Sequence, residues 1–374
     1  MDFQSLLKLM VHKNASDLFI TAGVAPSLKV NGKISPVTQA TLTPGQAREL
    51  VLGIMTPAQK EEFEATHECN FAISASGVGR FRVSAFYQRN HAGMVLRKIE
   101  TRIPTIEELS LPPVIKDLAM TKRGMIIFVG ATGSGKSTSL AAMLGFRNKN
   151  STGHIITIED PIEFIHQHDG CIVTQREVGI DTESFETALK NTLRQAPDVI
   201  LIGEIRTRET MDHAIAFAET GHLCLATLHA NNANQALDRI INFFPEDRRS
   251  QLLMDLSLNL KAMVAQQLIP TPDGNGRQLA AEVLINTPLV SDFIRKGEVH
   301  TLKETMAKSR SAGMQTFDQA LYDLHTQGKI TYEDAINHAD SANELRLMIK
   351  LGTTKGDASG LSASLDGVTI SEAE

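Results

Sequence analysis

From residue 125 to residue 138 the chain reads Met125-Ile126-Ile127-Phe128-Val129-Gly130-Ala131-Thr132-Gly133-Ser134-Gly135-Lys136-Ser137-Thr138. The apolar run predicts a buried strand, and the next residues match G-x-x-x-x-G-K-[ST], the phosphate-binding loop that joins a strand to a helix. Its glycines let backbone N–H groups turn towards phosphate oxygens, and the helix adds the positive end of its dipole. We expect Lys136 to reach the β- and γ-phosphates and the Ser137 hydroxyl to ligate Mg²⁺. Residues 130–138 therefore predict a nucleotide site.

Three more short apolar runs follow this loop, separated by helical patterns: His154–Ile158, Val199–Ile202 and Leu223–Leu228. Strands buried on both faces of a parallel sheet have this appearance, because the connecting helices cover both sides. We therefore predict an α/β core with a parallel sheet over residues 124–288. Residues 250–269 and 301–351 have helical periodicity, and we expect 289–351 to form a helical C-terminal region.

Two acidic segments follow predicted strands, at the sheet edge where open α/β folds bind ligands. In Asp198–Glu204, the acid at the strand end is Glu204, a candidate to hold Mg²⁺ or its water. After the strand His154–Ile158 come three carboxylates, Glu159, Asp160 and Glu163. A carboxylate there can orient or deprotonate an attacking water. The alternative for each segment is a solvated acidic turn without a catalytic role.

His222 and His229 flank the strand Leu223–Leu228. Histidines at strand ends are more often structural residues than ligands. No third nitrogen or thiolate lies near them in the sequence, which argues against zinc. The chain has three cysteines, too few and too scattered for a disulfide framework, and we expect buried free thiols.

Residues 1–100 predict a separate, mixed α+β domain. Asn31-Gly32 separates two short strand-like runs and predicts a type I′ turn. Further on, the alternation of residues 80–87 places Arg80 and Arg82 on one face of a strand. An arginine face has to meet water or an anion.

The rest of the chain divides by composition. Residues 101–123 contain three prolines and are expected to be a linker between domains. Residues 352–374 are rich in Gly, Ser, Thr and acidic residues, and they predict a disordered tail. The length of 374 residues agrees with two or three domains.

Charge and hydropathy exclude further classes of protein. The net charge is −6, from 37 Lys and Arg against 43 Asp and Glu, so no overall basic field favours nucleic acid or anionic lipid. No run approaches the ~20 apolar residues of a membrane span, and the N-terminus lacks a signal-peptide pattern. We expect a cytoplasmic protein without direct membrane insertion, which reaches a membrane only through partners.

Taken in order, these motifs resemble the secretion and type IV pilus ATPase family, a branch of RecA-like motors. The resemblance runs from Ala15-Ser16-Asp17-Leu18, through the phosphate loop, the acidic segments and the strand between the two histidines, to Gly313-Met314-Gln315-Thr316. Within the family the chain is similar to the pilus retraction ATPases of the PilT/PilU branch. It is short, and it lacks the four-cysteine zinc motif and the extra N-terminal domain of extension and type II secretion motors.

The resemblance implies a PAS-like N-terminal domain, a RecA-like C-terminal domain, and a homohexamer that binds ATP and Mg²⁺ between the two domains. It implies that Glu163 is the general base and that Glu204 belongs to the Mg²⁺ site. Three arginines match those of the N-terminal domain that close over the phosphates: Arg80, Arg82 and Arg97. Four residues are implied to couple nucleotide state to subunit contacts: Glu159, Asp160, His222 and His229.

Two departures from the PilT pattern favour the PilU branch. Phe19 stands where PilT carries a histidine, and residues 288–298 replace its Ala-Ile-Arg-Asn-Leu-Ile-Arg-Glu helix. The implied function is a bacterial motor that powers or assists pilus retraction in twitching motility. A PilT-like retraction ATPase and an inner-membrane platform protein are the implied partners, at the cytoplasmic face of the inner membrane.

Two alternative functions remain open at this point. The first is an accessory ring that binds nucleotide with little turnover and acts through a PilT-like partner. The second is a RecA-like nucleic-acid motor, which the acidic balance disfavours because nucleic-acid binding depends on cationic contacts to phosphates.

Overall fold

The computed structural model describes residues 2–30, 32–99 and 102–361, with side chains up to residue 352. The chain divides into two compact units. The N-terminal unit contains residues 1–103 together with two later segments, 160–167 and 175–184. The second unit contains residues 104–159, 168–174 and 185–374.

The N-terminal unit is built on a six-stranded sheet in which all neighbouring strands run antiparallel. Its strands are β1 Asp17–Ile20, β2 Ser27–Val30, β3 Lys33–Pro36, β4 Glu68–Ala75, β5 Gly79–Gln88 and β6 His91–Ile99, in the order β3-β2-β1-β6-β5-β4. Its helices are α1 Phe3–His12, α2 Pro44–Gly53 and α3 Pro57–Thr66. The predicted hairpin corresponds to β2 and β3. Asn31 of its turn lies outside the described residues, and Gly32 has a φ of 80°.

The alternation predicted along β5 is confirmed. Phe81, Val83 and Ala85 are buried in the core of the N-terminal unit, whereas Arg80 and Arg82 on the other face are partly exposed. The strand therefore presents guanidinium groups away from its apolar core.

The second unit contains a seven-stranded sheet in the order β13-β12-β7-β11-β10-β8-β9. The strands are β7 Gly124–Val129, β8 Gly153–Glu159, β9 Cys171–Glu177, β10 Val199–Ile202, β11 Leu223–Leu228, β12 Leu260–Pro270 and β13 Arg277–Ile285. Strands β12, β7, β11, β10 and β8 are mutually parallel, and β13 runs antiparallel to β12. The predicted α/β fold with a parallel sheet is confirmed, and the four predicted strands are β7, β8, β10 and β11.

Helices connect these strands and complete the unit. They are α4 Val114–Ala119, α5 Lys136–Asn150, α6 Phe185–Thr192, α7 Arg208–Glu219, α8 Ala233–Asn242, α9 Glu246–Asn259, α10 Pro288–Lys296, α11 Leu302–Lys308, α12 Phe317–Thr326, α13 Tyr332–His338 and α14 Ala342–Leu361. Within residues 2–30, 32–99 and 102–361, no helix has both the length and the hydropathy needed to cross a bilayer.

The helix predicted over residues 250–269 is wrong in its second half. Helix α9 ends at Asn259, and residues 260–270 form β12, which lies beside β7. Four consecutive residues of β12, from Ala262 to Ala265, are buried, so the strand has no alternation that would separate it from a helix. Leu258, near the end of α9, is 66% exposed.

Two further expectations differ from the structure. Residues 104–123 are not an open linker, because Ile106, Leu111 and Ile115 are buried in the core of the second unit. The predicted tail from residue 352 begins inside α14, which continues to Leu361, and residues 362–374 lie outside the described part. Leu345 anchors this helix in the core, and extending a formed helix is easier than starting one.

Candidate nucleotide-binding site

The carboxyl ends of β7, β11 and β10 bring the candidate residues of the second unit to one edge of the sheet. The Gly130 N–H donates to the Leu228 carbonyl over 3.3 Å, and the Ile205 N–H donates to the Thr227 carbonyl over 2.9 Å. The phosphate loop after β7, the segment after β11 and the acid after β10 are therefore neighbours. Ligands of parallel α/β sheets bind at such an edge.

Glycine is required at the start of the phosphate loop. A Cβ atom on Gly130 would lie 2.3 Å from Ser134 Oγ and 2.8 Å from the Gln266 carbonyl oxygen. Gly130 has a φ of 155°, and Gly133 and Gly135 have φ values of 80° and 92°. In contrast, a Cβ on Gly133 would meet no atom within 4 Å. At position 133 glycine is favoured by the backbone conformation, whereas at position 130 it is also required because there is no space for a side chain.

The donor groups of the loop suit a phosphate. Lys136 is 8% exposed, and its Nζ donates to the carbonyls of Gly130 and Ala131 over 2.7 and 2.9 Å. Ser134 Oγ is buried and makes no hydrogen bond to any residue that the structure describes. Helix α5 begins at Lys136 without a side-chain cap, so its first N–H groups are suited to an anion. Ser137 and Thr138 lie in its first turn and are partly exposed.

Glu204 is held by two basic side chains at this edge. Its Oε2 accepts from Arg206 Nε and Nη2, each over 2.8 Å, and its Oε1 lies 3.3 Å from His229 Nε2. The carboxylate is 16% exposed. Carboxylate and hydroxyl oxygens are what Mg²⁺ prefers, so Glu204 and Ser137 fit an ion beside the phosphates. The contact between Glu204 and His229 was not predicted from the sequence.

His222 lies at the opposite end of β11 from His229. Its Nδ1 is 3.0 Å from Thr220 Oγ1 and 3.2 Å from the Phe217 carbonyl oxygen. The six residues of β11 lie between the two histidines, which separates them by about 20 Å along the strand. The structure therefore brings His229 to the loop edge and leaves His222 away from it.

Glu159, at the end of β8, lies at the same sheet edge as Glu204. The Gly203 N–H donates to the Ile158 carbonyl over 2.8 Å, which joins the two strand ends. Thr157 Oγ1 donates to Glu159 Oε1 over 2.6 Å and orients the carboxylate. The next predicted residues, Asp160 and Glu163, belong to the N-terminal unit.

The predicted arginines of the N-terminal unit form a cluster of positive charge. Arg82 on β5 and Arg97 on β6 are directly opposite in the antiparallel register, so they share a face of the sheet. Arg97 Nε donates to Asp17 Oδ1 over 2.9 Å, and Asp17 is only 4% exposed. Arg80 Nε is buried without a hydrogen-bond partner among the residues that the structure describes. Asp17 offsets part of the repulsion between the opposed guanidiniums, and the positive charge that remains on this face suits a phosphate.

Sequence reasoning missed Glu177, which ends β9. Its carboxylate is 2% exposed and accepts from the Ile162 N–H over 3.2 Å. Burial raises the pKa of Glu177, while the Ile162 amide and the charges of Arg82 and Arg80 oppose that rise. Since exposed Glu163 directly follows Ile162, Glu177 anchors the segment that carries the candidate base. An acid at a strand end, the signal that singled out Glu204, was present here as well.

An open pocket of about 630 Å³ lies beside the phosphate loop, along α8. It is lined by Ala131 from the loop, by residues 229–231, and by Gln235, Asp238, Arg239, Asn242 and Phe243. His229 thus faces both Glu204 and this pocket. In the sequence, α8 has the pattern of an ordinary solvated helix, which gave no sign of the pocket.

Comparisons with known proteins identify the family of this chain. The profile of the family described as Type II/IV secretion system protein matches residues 3–365. The type IV pilus ATPase PilU of Pseudomonas aeruginosa is 72% identical over 370 residues, which are 99% of this chain and 97% of that protein. The pilus retraction ATPase PilT of the same organism is 41% identical over 335 residues, 90% of this chain and 97% of that protein. The crystal structure of the pilus retraction motor PilT with bound ADP aligns with a TM-score of 0.87 at 38% identity, covering 92% of this chain and 99% of that one.

Proposed function

This chain belongs to the Type II/IV secretion system protein family, and from that premise we propose that it is a Mg²⁺-dependent, homohexameric motor that powers or assists type IV pilus retraction. Its similarity to PilU and PilT, including an ADP-bound PilT, identifies it as a pilus-related ATPase. The observation that carries the proposal is the phosphate loop with Glu204 at the same sheet edge.

Nucleotide binding changes the partners of two side chains in this proposal. Lys136 leaves the carbonyls of Gly130 and Ala131 and binds the β- and γ-phosphates, which the N–H groups of residues 130–138 surround. Mg²⁺, when bound, would supply positive charge that stabilises the transferred phosphoryl group. Ser137 and Glu204 would hold the ion. Because Glu204 contacts His229 over 3.3 Å, a change of partner at Glu204 would also change the surroundings of the imidazole.

The hydrolytic roles are assigned by chemistry and by the family resemblance. Glu163 orients or deprotonates the attacking water as the general base. Arg80, Arg82 and Arg97 supply positive charge to the transferred phosphoryl group, an effect worth roughly 10³–10⁵ in rate in other phosphoryl-transfer systems. The opposed pair Arg82 and Arg97 supports this assignment, because Asp17 offsets one of their two positive charges and leaves the face positive. We assign Glu159, Asp160, His222 and His229 to coupling between nucleotide state and subunit contacts.

The proposed partners are further copies of this chain, a PilT-like retraction ATPase and an inner-membrane platform protein. The chain would act at the cytoplasmic face of the inner membrane, held there by these partners. Identity of 72% to PilU against 41% to PilT favours the PilU-like role. For the N-terminal unit we propose a PAS-like fold, followed by a RecA-like ATPase core over residues 124–288 and a C-terminal region over 289–351.

A second candidate function is an accessory ring that turns over little ATP by itself and acts through a PilT-like partner. It is favoured by the sequence of residues 288–298, which departs from the Ala-Ile-Arg-Asn-Leu-Ile-Arg-Glu pattern of PilT although residues 288–296 still form α10. The intact Lys136, Glu163 and Glu204 favour the motor instead.

Steady-state ATP hydrolysis by the purified full chain, alone and with a PilT-like ATPase, separates the two candidates. Lys136→Ala is the control without phosphate binding, Glu163→Gln tests the base, and light scattering gives the oligomer mass. In cells, twitching by a Glu163→Gln strain that keeps its PilT-like ATPase tests whether hydrolysis by this chain is needed.

Lys136-dependent turnover by a hexamer alone supports the motor. Turnover that appears only when the PilT-like ATPase is added, together with normal twitching of the Glu163→Gln strain, supports the accessory ring. A chain that neither binds nor hydrolyses ATP in any of these mixtures contradicts both.

A further inference from the structure

Glu282, on β13, is a buried carboxylate that holds the start of α8. Its side chain is 1% exposed, and its Oε1 accepts from the Ala233 N–H over 2.8 Å. Ala233 is the first residue of α8, and the preceding Asn232 caps the helix by accepting from the Gln235 N–H over 2.9 Å. A buried hydrogen bond from an amide to a carboxylate is stronger than a neutral one, so Glu282 fixes the chain at this point.

Charged residues of the C-terminal helices join the same network. Asp340 Oδ2 accepts from Asn232 Nδ2 over 3.3 Å and lies 3.5 Å from Lys303 Nζ. Lys303 Nζ also lies 3.3 Å from Asp318 Oδ2, and Asp318 Oδ1 accepts from the Asp340 N–H over 2.9 Å. Asp318 is 3% exposed, whereas the side chains of Asp340 and Lys303 are 17% and 33% exposed, so the group is only partly buried. Asp340, in the turn before α14, therefore contacts the N-cap of α8 directly, and Lys303 on α11 and Asp318 on α12 bind Asp340.

We propose that Glu282 is a positioning residue for ATP hydrolysis: it holds residues 229–233, and through them His229, in place against Glu204. Few residues separate His229 from Ala233, so a displacement of the first turn of α8 moves the imidazole away from its 3.3 Å contact with Glu204. The group formed by Lys303, Asp318 and Asp340 then links the C-terminal helices to the same segment. This inference rests on the roles proposed above for Glu204 and His229.

Glu282 also changes its protonation state near neutral pH. Burial raises the pKa of Glu282 to about 7, and the negative charge of Asp340 adds to this rise. The Ala233 amide, the charge of Lys303 and the Phe317 amide oppose it. The charged groups that face it are thus Asp340 and Lys303, with Asp318 bound to Lys303. The ionised carboxylate accepts more strongly from Ala233, so the segment is held more firmly above neutral pH than below it.

Two variants separate the hydrogen bond from the charge. Glu282→Ala removes the acceptor, whereas Glu282→Gln keeps an acceptor oxygen and abolishes the titration. Thr192→Val is the matched control, because Thr192 is 0% exposed and its hydroxyl donates within α6, to the Ala188 carbonyl over 2.9 Å. For each full-length protein, kcat and KM for ATP are measured from about pH 6 to about pH 8.5. Amide hydrogen exchange is followed in peptides that cover residues 229–240.

We expect Glu282→Ala to lower kcat by roughly tenfold or more with a smaller change in KM, as misplacement of a catalytic group does. Exchange across residues 229–237 should become roughly tenfold faster, since the first turn of α8 opens more often. Glu282→Gln should show the protection and the kcat of the protonated wild type at every pH, so its kcat should not decline below neutral pH. Thr192→Val should lower the melting temperature without either change.

The inference is overturned if Glu282→Gln has the wild-type pH profile, or if Glu282→Ala exchanges in residues 229–237 no faster than Thr192→Val. Should Glu282→Ala fail to fold, Asp340→Asn takes its place in the exchange measurement. If the wild-type chain does not hydrolyse ATP, the motor proposal fails, and the exchange comparison still decides whether Glu282 holds the segment.

Discussion

Gly130 lies where β7 meets the phosphate loop, and it has room for a hydrogen atom but not for a methyl group. We expect Gly130→Ala to abolish nucleotide binding, because the added Cβ displaces Ser134 Oγ or the Gln266 carbonyl and reshapes the loop. Gly133→Ala is the matched control, with open space around the new methyl group and only a positive φ to tolerate, at a cost of about 1 kcal/mol. Calorimetric titration with ADP measures both. Equal affinities for the two variants would contradict the steric argument.

Glu282 makes the stability of the fold depend on pH. Its pKa is about 7 in the folded chain against an ordinary value of 4.5, so between these values only the folded chain keeps the proton. The free energy of unfolding therefore falls as the pH rises through this window. We compare the melting temperature of Glu282→Gln with that of the wild type at pH 5.5 and at pH 8. The difference should shift in favour of the variant at pH 8. Thr192→Val should stay at a constant offset from wild type, and parallel curves for Glu282→Gln would contradict the prediction.

Single residues also show which parts of the site can be predicted from the sequence and which cannot. The phosphate loop and Glu204 are recognisable because their chemistry is contained in a few consecutive residues. The contact between Glu204 and His229 depends on β10 and β11 being neighbours in register, which local pattern does not encode. Glu177 and Glu282 were missed for a similar reason, since what distinguishes them is burial by distant segments.

Among the elements, β9 and the segment 160–167 matter most for the proposed base. We expect Glu177→Ala to lower kcat by roughly tenfold or more with little change in KM for ATP, because the residue before Glu163 loses its anchor. Glu183→Ala, an exposed acid in the same unit, is the control and should behave as wild type. ATPase kinetics of both variants test this. A change in KM without a change in kcat, or equal effects of the two substitutions, would contradict the anchoring role.

The success of the strand predictions follows from burial. Strands β7, β10 and β11 are buried along their whole length, and such apolar runs between helical patterns are distinctive. Strand β12 was not predicted because α9 passes into it at Asn259 and Leu260 without a glycine or proline to mark the change. The prediction of a linker over residues 104–123 was wrong because their prolines precede a short helix, α4, whose apolar residues pack in the core.

At the scale of the whole chain, nucleotide should act as a stabiliser. A ligand present at a hundred times its Kd adds about 2.7 kcal/mol to the free energy of unfolding, which corresponds to several degrees in melting temperature. We expect ADP with Mg²⁺ to raise the melting temperature of the wild-type chain and to leave Lys136→Ala unchanged. Scanning calorimetry at fixed protein concentration measures both. A shift of equal size in Lys136→Ala would place the nucleotide elsewhere.

The path of the chain through its two units has a consequence for modular engineering. The N-terminal unit is assembled from three separate stretches, residues 1–103, 160–167 and 175–184. A gene fragment that stops at residue 103 would omit Glu177 and its partner Ile162, and it would encode an incomplete unit. Hybrids between related motors should therefore exchange all three stretches together. A single recombination point at residue 103 would separate residues 1–103 from the two later segments of the same compact unit.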